Sequence, residues 1–338
     1  MPWKPRKILI EAAVAETETA DALRRRWPGV PVIGLARVKS FDGELDRRDL
    51  AIAKQRGRFI KKCPGTPAYT CCDYYILNIG IGCRLECSYC YLQHYMNTPF
   101  TIFANIDDLL AQAQEYFGAR GGRRFRVGSG QFIDSLDFDE LANVHRRLVP
   151  ALTSLPNVTF EIKTKTGRLD HLLDLDHHER AVISWSVNPD VVARVEEAPA
   201  PRLAERLAAA SRAVAAGYRV GFHFDPIIHF AGWEREYEQV VAAIFAKIPA
   251  QKVAWISLGA LRFNPSLKPI IEDRFPHSRL TTGELVKGLD GKYRYFIAIR
   301  RRLFGRLNAA IQDYAPDVPV YLCMEGRALA ASTGVSGL

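Results

Sequence analysis

The stretch Cys83-Arg-Leu-Glu-Cys87-Ser-Tyr-Cys90 determines how the rest of the chain is interpreted. Its three cysteines stand four and three positions apart, directly after the apolar run at residues 74–79. Three soft thiolates on one short loop suit an iron–sulfur cluster or a zinc ion. A zinc site would add His94 as the fourth ligand, but zinc loops more often pair their cysteines with two residues between them. The spacing therefore favours iron–sulfur over zinc.

Composition and charge limit the class of protein. The chain has 338 residues, of which 48% are hydrophobic and 25% charged, as in a globular protein with a large core. No apolar run approaches the roughly 18 residues of a membrane span, and the N-terminus lacks a signal-peptide pattern. We therefore expect a cytoplasmic protein with no membrane partner. The net charge of +9 fits a polyanionic partner such as nucleic acid, although charge for solubility explains it as well.

Alternating strand and helix patterns predict an α/β fold. A strand at 7–13, a helix at 18–26 and a strand at 30–35 form a small N-terminal βαβ subdomain, followed by a polar, basic stretch at 36–72. Six apolar strand patterns come next, at residues 74–79, 125–129, 158–163, 181–187, 218–225 and 252–259. Helical patterns separate them at 106–117, 138–152, 202–216 and 233–248. Six repeats are too few for a closed eight-stranded barrel, so we predict a partial (β/α)6 TIM-like barrel.

The last part of the chain has a different pattern. Leu289-Asp-Gly-Lys292 predicts a hairpin, a helix carrying Arg300, Arg301 and Arg302 follows, and residues 318–323 form a final strand. We predict three segments: 1–60 as the N-terminal subdomain and basic linker, 61–265 as the partial barrel, and 266–338 as a hairpin and helix extension that binds substrate.

A second candidate motif follows the second barrel strand. Val127-Gly-Ser-Gly-Gln131 is a glycine-rich turn, and active sites of such barrels lie at the C-terminal ends of the strands. We expect Ser129 and Gln131 to bind a cofactor there, although a turn of this kind is also common without any ligand.

The cysteine spacing resembles that of radical S-adenosylmethionine (SAM) enzymes, in which three cysteines hold a 4Fe–4S cluster and leave one iron open for SAM. The segment Cys87-Ser-Tyr-Cys-Tyr-Leu-Gln93 resembles more narrowly the cluster loop of the spore photoproduct lyase family. Further segments that resemble this family are Gly221-Phe-His-Phe-Asp-Pro-Ile227, Gly232-Trp-Glu-Arg235, Arg262-Phe-Asn-Pro265, Ile271-Glu-Asp-Arg-Phe-Pro276 and Gly291-Lys-Tyr-Arg-Tyr295. The resemblance covers nearly the whole chain and implies an enzyme that splits a methylene-bridged thymine dimer in DNA.

The resemblance also implies roles for individual residues. Cys83, Cys87 and Cys90 correspond to the cluster ligands. Lys165 and Ser186 fall where the family has SAM-contacting residues. Tyr89 and Tyr91 correspond to tyrosines that lie near SAM and relay hydrogen atoms.

One position departs from the family pattern. The family carries a cysteine after its second barrel strand that returns hydrogen to the product radical, and the residue here is Gln131. A thiol elsewhere is one replacement, with Cys71 and Cys72 as the candidates. For Cys63, Cys71, Cys72 and Cys323 two other interpretations stay open: small core residues, or ligands of a second metal site.

The resemblance and the basic charge together predict a radical SAM lyase that repairs a damaged or modified DNA base. Its expected partners are DNA and an external electron donor such as flavodoxin or ferredoxin. Two alternatives remain: a radical SAM enzyme acting on RNA or a small metabolite, and a nucleic-acid-binding protein with a structural zinc site.

Overall fold

The largest sheet of the protein contains the six predicted barrel strands in consecutive order. The computed structural model describes residues 3–66, 69–70, 72–95 and 97–335. Its strands are β1 (Ile8–Glu11), β2 (Val32–Leu35), β3 (Leu50–Ala53), β4 (Ile60–Lys62), β5 (Tyr74–Leu77), β6 (Gly80–Ile81), β7 (Phe100–Phe103), β8 (Phe125–Gly128), β9 (Val158–Thr164), β10 (Ala181–Ser186), β11 (Arg219–Ile227), β12 (Val253–Ala260), β13 (Arg262–Phe263), β14 (Leu285–Lys287), β15 (Tyr293–Tyr295) and β16 (Val320–Leu322).

The helices cover these strands and connect them. They are α1 (Glu18–Arg26), α2 (Ile106–Ala113), α3 (Asp139–Ala142), α4 (Val144–Thr153), α5 (Asp190–Glu196), α6 (Leu203–Ala215), α7 (Trp233–Phe245), α8 (Leu267–Arg274), α9 (Ile297–Tyr314) and α10 (Arg327–Ala331). No helix in the described part of the chain is long and apolar enough to span a membrane.

The main sheet is a half-barrel. Its strand order is β16-β12-β11-β10-β9-β8-β5-β4, and every pairing is parallel except that of β4 with β5. Every residue of β10 and of β12 is buried, as expected for parallel strands covered on both faces. The predicted fold class is confirmed, and the final predicted strand extends the sheet as β16.

The N-terminal sheet is larger than predicted. Its order is β2-β1-β3-β7-β6, with β1, β2, β3 and β7 parallel and β6 antiparallel to β7. The strand β3 lies inside the stretch that we interpreted as a basic linker, although its four residues are all buried. Strand β3 was not predicted because its four apolar residues lie between charged residues and are too few to give a periodic pattern.

The cysteine loop therefore connects two strands of the N-terminal sheet. It leaves β6 and returns into β7, while β5, only a few residues earlier, belongs to the half-barrel. The loop lies where the two sheets meet.

Two predicted helices differ in detail. The pattern at 138–152 forms two helices, because Asn143 takes a left-handed conformation with φ of 53° between α3 and α4. The pattern at 106–117 begins as α2 and continues as a wider π-helical turn through Gly118. The predicted helices at 202–216 and 233–248 are confirmed as α6 and α7.

The C-terminal segment contains the predicted hairpin. Strands β14 and β15 pair antiparallel across the Asp290-Gly291 turn, and β13 pairs with the other edge of β15. The predicted arginine-bearing helix is α9, which packs against α7. Whether the three segments proposed from the sequence are separate domains stays a prediction.

Substitution of glycine by alanine is expected to have opposite effects on stability at two positions. An added Cβ at Gly221 on β11 would lie 2.5 Å from the Ser184 Oγ and 2.8 Å from the Trp255 Nε1, whereas at Gly305 in α9 it would meet nothing within 4 Å. We predict that Gly221→Ala lowers the free energy of unfolding by ~1–3 kcal/mol through overpacking. Gly305→Ala raises it by ~0.5–1 kcal/mol, because alanine loses less backbone freedom in a helix. Urea unfolding of both variants measures these changes. Equal changes in the free energy of unfolding would contradict the close packing of Gly221 against Ser184 and Trp255 inside the half-barrel.

Candidate functional site

The three loop cysteines converge on one small cluster. Cys83, Cys90 and Tyr89 pack against the buried side chains of Leu85, Cys87 and Ala200. Burial raises the pKa of the Cys87 thiol to about 12 and that of Cys83 well above its usual range. Such thiols stay protonated unless a cation binds them, and the chemistry of the donor set therefore fits a metal cluster.

The arrangement does not suit a single ion. Within the ranges that the structure describes, no three His, Cys, Asp or Glu side chains are arranged to hold one metal ion. A zinc tetrahedron needs its ligands around one centre, whereas a cubane places each thiolate on a different iron. His94, the fourth ligand of the zinc alternative, is exposed.

Gln93 is the first brace of the loop. Its side chain is 1% exposed, and its amide nitrogen donates to the Cys87 carbonyl at 3.0 Å. Its amide oxygen accepts from Arg47 at 2.8 Å and from Arg274. One glutamine thus joins the loop to a segment before β3 and to the end of α8.

The same two arginines hold Glu86 in an unfavourable conformation. Glu86 directly precedes Cys87 and has φ of 43°, a region that costs a non-glycine residue of order 1–3 kcal/mol. Its carboxylate lies 3.4 Å from Arg47 Nε and 3.3 Å from Arg274 Nη2. These ion pairs offset the backbone strain and fix the turn that presents Cys87.

A second brace fixes the residue after Cys83. The Arg84 guanidinium donates to Asp137 Oδ1 from Nε at 3.0 Å and from Nη2 at 2.7 Å, and the Arg84 backbone N–H donates to Oδ2 at 2.9 Å. The same guanidinium lies 3.8 Å from the centre of the Phe138 ring. Because the side chain and the backbone N–H of Arg84 both donate to one carboxylate, the charge-assisted contacts fix direction as well as distance.

A third brace is a buried charge network below Cys87 and Cys90. The Ser88 hydroxyl donates to Glu196, and the Tyr89 hydroxyl donates to Glu197. Glu197 is fully buried and also accepts from Asn188 at 2.9 Å and from Arg206. Burial works against its ionisation, but Lys165, Arg206 and these hydrogen bonds outweigh it and lower the pKa of Glu197 to about 2. The carboxylate is therefore charged and holds Tyr89 in place.

Lys165 and Ser186 lie beside this network. The Lys165 Nζ is 5.7 Å from the centre of the Tyr89 ring, and its charge acts on the Cys87 and Cys90 thiols. Its ammonium makes no hydrogen bond or ion pair with any described residue. Ser186 ends the adjacent strand β10, is 5% exposed, and its hydroxyl has no partner among the described residues. Both predicted SAM contacts thus point unpaired polar groups into one region.

The two residues predicted on the glycine-rich turn, Ser129 and Gln131, lie in different surroundings. The Ser129 hydroxyl is buried and bonds to Ser135 at 2.8 Å and His145 at 2.7 Å, and His145 contacts Asp139 at 2.9 Å. These contacts resemble a nucleophile–base–acid triad, but Ser129 is 1% exposed and its hydroxyl is bonded within the protein, so its contact with a cofactor stays a prediction.

Gln131 and Tyr91 meet above that turn. The Tyr91 hydroxyl donates to the Gln131 carbonyl at 2.6 Å, which ties the cysteine loop to the end of β8. The Gln131 side chain is half-buried and makes no hydrogen bond to a described residue. Burial raises the pKa of both Tyr89 and Tyr91, so the two phenols are neutral.

The remaining cysteines lie in different surroundings. Cys72 packs against Val182, Ala254, Trp255 and Tyr321 on the inner side of the half-barrel. Cys323 follows β16, and its sulfur accepts a hydrogen bond of 3.4 Å from Arg262. Cys63 begins the turn after β4, and Cys71 lies outside the described residues.

Several arginines that contribute to the net positive charge form ion pairs with carboxylates. Arg126 is inside the half-barrel, 2.8 Å from Glu161. Arg300 pairs with Glu325, Arg302 with Glu234 and Arg123 with Asp73. Arg124 and Arg301 remain exposed, which leaves fewer arginines for nucleic acid than the sequence suggested.

The bracing residues were missed from the sequence. Arg47, Asp137, Glu197 and Arg274 come from four segments, and no local spacing links them to the cysteines. The sequence contained one signal for these residues: the segments that contain Gln93 and Arg274 resemble the spore photoproduct lyase family. The structure shows that both residues support the cysteine loop.

We predict that Gln93→Leu destabilises the protein. The substitution leaves two arginine guanidiniums and a buried carbonyl without their shared partner, at a cost of ~1–3 kcal/mol in the free energy of unfolding. Urea unfolding measures it, with the exposed neighbour His94→Ala as the matched control that changes little. A Gln93→Leu variant as stable as the His94→Ala control would contradict the bracing role.

Known proteins match the chain over most of its length. A family model described as spore photoproduct lyase matches residues 35–317. The spore photoproduct lyase of Geobacillus sp. (strain Y412MC61) is 27% identical over 256 residues, which cover 73% of this chain and 75% of that protein. The enzyme of Bacillus subtilis (strain 168) gives the same identity and coverage.

Solved structures show the same fold. A spore photoproduct lyase complexed with dinucleoside spore photoproduct superimposes with a TM-score of 0.84 at 23% identity, covering 96% of this chain and 100% of that one. A mutant of that enzyme with bound AdoMet and dinucleoside spore photoproduct gives the same TM-score. Because the family model spans well over half of the sequence, the chain belongs to the spore photoproduct lyase family, which confirms the expected enzyme class, a radical SAM lyase.

Proposed function

We propose that this protein uses a SAM-derived radical to repair a damaged or modified base in DNA. One observation carries the proposal: three converging thiols lie beside the Lys165 ammonium, which has no ion-pair partner among the described residues. An ammonium that makes no direct hydrogen bond or ion pair suits an anionic ligand. SAM and a 4Fe–4S cluster, the expected cofactors, are those of this family, and together they supply a carboxylate and a negatively charged cluster.

Cys83, Cys87 and Cys90 are the proposed cluster ligands. When bound, the cluster and SAM supply a 5′-deoxyadenosyl radical, which is the chemistry that the protein itself lacks. The chain contributes positioning: the contacts of Gln93, Arg84 and Glu197 keep the three thiols in place. An external electron donor such as flavodoxin or ferredoxin completes the proposal.

Lys165, Ser186 and Gln131 are the proposed SAM contacts. Each offers a polar side-chain group without a partner in the described chain, and all three come from strand ends or loops near the cysteines. Lys165 suits the carboxylate of SAM, while the amide oxygen of Gln131 suits its ammonium group. Ser129 is left out of this set because its hydroxyl is already bonded.

The reaction also needs side chains inside the half-barrel that can transfer hydrogen atoms. Tyr89 and Tyr91 are proposed to act beside SAM, and both hydroxyls are held by hydrogen bonds. Cys72 remains a proposed thiol for returning hydrogen from the sequence, although it packs near the starts of β10, β12 and β16, at the opposite ends of the strands from Lys165 and Ser186. Cys71 keeps the same proposal from the sequence alone.

The C-terminal hairpin supports a nucleic-acid substrate. Its tip carries Leu289, which is 79% exposed, and Val286, Phe296 and Ile297 beside it are 41%, 49% and 44% exposed. The tip is held rigidly, because Arg294 pairs with Asp290 at 2.6 Å and the Leu289 backbone N–H donates to the Tyr69 hydroxyl at 3.1 Å. A rigid apolar wedge among basic residues suits the gap left when a damaged base is extruded from the stack.

The cofactor assignment predicts SAM cleavage. Reconstituted protein with about four irons per chain should convert SAM to 5′-deoxyadenosine under dithionite, since that is the iron content of one 4Fe–4S cluster. Cys87→Ala should abolish the product and lose most of the iron, while Cys63→Ala should retain both. A colourless protein with stoichiometric zinc and no 5′-deoxyadenosine would contradict the proposal.

The hairpin assignment predicts a loss of DNA affinity. Leu289→Ala should weaken binding to a duplex containing a methylene-bridged thymine dimer by about tenfold, because it removes ~1.4 kcal/mol or more of apolar contact. Fluorescence anisotropy at several salt concentrations measures this, and affinity should fall as salt rises. Val32→Ala, an equally apolar exposed change on the edge strand β2, is the control. Equal affinity of the two variants would remove the hairpin from the DNA interface.

A further inference from the structure

The inner face of β9 carries two charged residues. Glu161 and Lys163 are two positions apart in the strand, so their side chains point to the same side of the sheet, and Lys165 follows directly after the strand ends at Thr164. Lys163 is in register with Ser184 on β10, which is in register with Gly221 on β11. Lys165 belongs to the region of the cysteine loop described above, whereas Lys163 has been given no role.

The carboxylates of this inner wall are already paired. Glu161 accepts from Arg126 at 2.8 Å and contacts His223 at 2.7 Å. Asp225 accepts from both terminal nitrogens of Arg262, at 2.8 and 3.1 Å. The Lys163 ammonium, in contrast, makes no hydrogen bond or ion pair with any residue that the structure describes.

Lys163 acts on different side chains of the half-barrel interior from Lys165. The thiols of Cys87 and Cys90 respond to the charge of Lys165, whereas the groups that respond to Lys163 are His223, Asp225 and Cys323. Burial and the Lys163 charge lower the pKa of His223 to about 4, so His223 is neutral. The two ammonium groups therefore serve two separate regions, one beside the cluster loop and one along β11 and the end of β16.

The turn after β8 holds the base of the Lys163 side chain. An added Cβ at Gly130 would lie 2.9 Å from the Lys163 Cβ and 2.9 Å from its carbonyl oxygen, so the glycine backbone packs directly on this residue. Only the flexible end of the lysine is left to reach a ligand. Among the cations along this wall, Arg126 is paired with Glu161 and Arg262 with Asp225, and the charge of Lys165 acts on the Glu197 carboxylate, whereas Lys163 has no hydrogen-bond or ion-pair partner among the described residues.

We propose that Lys163 binds a phosphodiester of the substrate inside the half-barrel. The inference rests on the proposed function, because a nucleic-acid substrate is what brings an anion to this part of the cavity. Phosphate is the charged group of a nucleic acid, and an ammonium without a carboxylate partner is matched by it. The substrate class is therefore a lesion whose two nucleosides are joined by phosphate, in preference to the same lesion without phosphate.

Two synthetic substrates test this. One is the methylene-bridged thymine dinucleotide with its phosphodiester, and the other is the corresponding dinucleoside without it. We expect the reconstituted wild-type enzyme to have a kcat/KM about tenfold or more higher for the dinucleotide, the size of one hydrogen bond to a charged group. Lys163→Met should lose this preference, Lys163→Arg should keep most of it, and Lys247→Met, a change of an exposed lysine beyond α7, should keep all of it.

The outcomes separate the inference from the proposed function. A wild-type enzyme without preference, or a Lys163→Met variant that keeps it, overturns the phosphodiester contact while the repair function stands. A Lys163→Met variant that raises the KM for SAM and retains the substrate preference assigns Lys163 to SAM and also overturns it. If the wild-type enzyme cleaves SAM but processes neither substrate, the proposed DNA-repair function fails, and the inference fails with it.

Discussion

The hydrogen bonds of Gln93 to two distant arginines are the constraint on which the site depends. A loop without regular secondary structure has to hold three thiols in a fixed arrangement, and its own residues provide no ladder to do so. Arg47 comes from the N-terminal segment and Arg274 from α8, and both meet on the Gln93 amide oxygen and the Glu86 carboxylate. The loop geometry is therefore set by segments that precede and follow the barrel strands in the sequence.

The other two braces add charge in places where it is costly to bury. Arg84 with Asp137 and Arg206 with Glu197 are largely or fully buried pairs. Removing one partner of such a pair leaves an unpaired charge and costs more than the pair contributes. These pairs are best understood as determinants of geometry, since they decide where Ser88, Tyr89 and the cysteines lie rather than how stable the barrel is.

The sequence was most informative where the signal was local. The barrel strands followed from runs such as 158–163, whose apolar residues and helical neighbours leave few other arrangements. The segment Leu50–Ala53 was missed because four apolar residues between charged ones carry no periodicity, and the break at Asn143 was missed because it interrupts an otherwise regular helical pattern. The glycine-rich turn was correctly expected to follow a barrel strand, but its sequence did not show that the Ser129 hydroxyl is bonded to His145.

The candidate site also has a part that the sequence identified and a part that only the structure shows. The cysteine spacing and the family resemblance identified the loop, because ligand spacing is written in consecutive residues. The charges around the loop come from distant segments, and only the structure shows that Arg126 and Arg300 form ion pairs, whereas Lys163 and Lys165 form none with the residues that it describes. That difference changes the electrostatic picture, because two lysines inside the half-barrel lack direct partners among the described residues while several surface arginines are paired with carboxylates.

The central claim is that the braced cysteine loop generates a radical that attacks a DNA lesion bound within the half-barrel. The most direct measurement is the transfer of deuterium from a labelled methylene-bridged thymine dinucleotide into 5′-deoxyadenosine, followed by mass spectrometry. The account predicts that 5′-deoxyadenosine gains deuterium in step with repair of the labelled dimer. Abundant 5′-deoxyadenosine without deuterium, with the labelled dimer left intact, would contradict it.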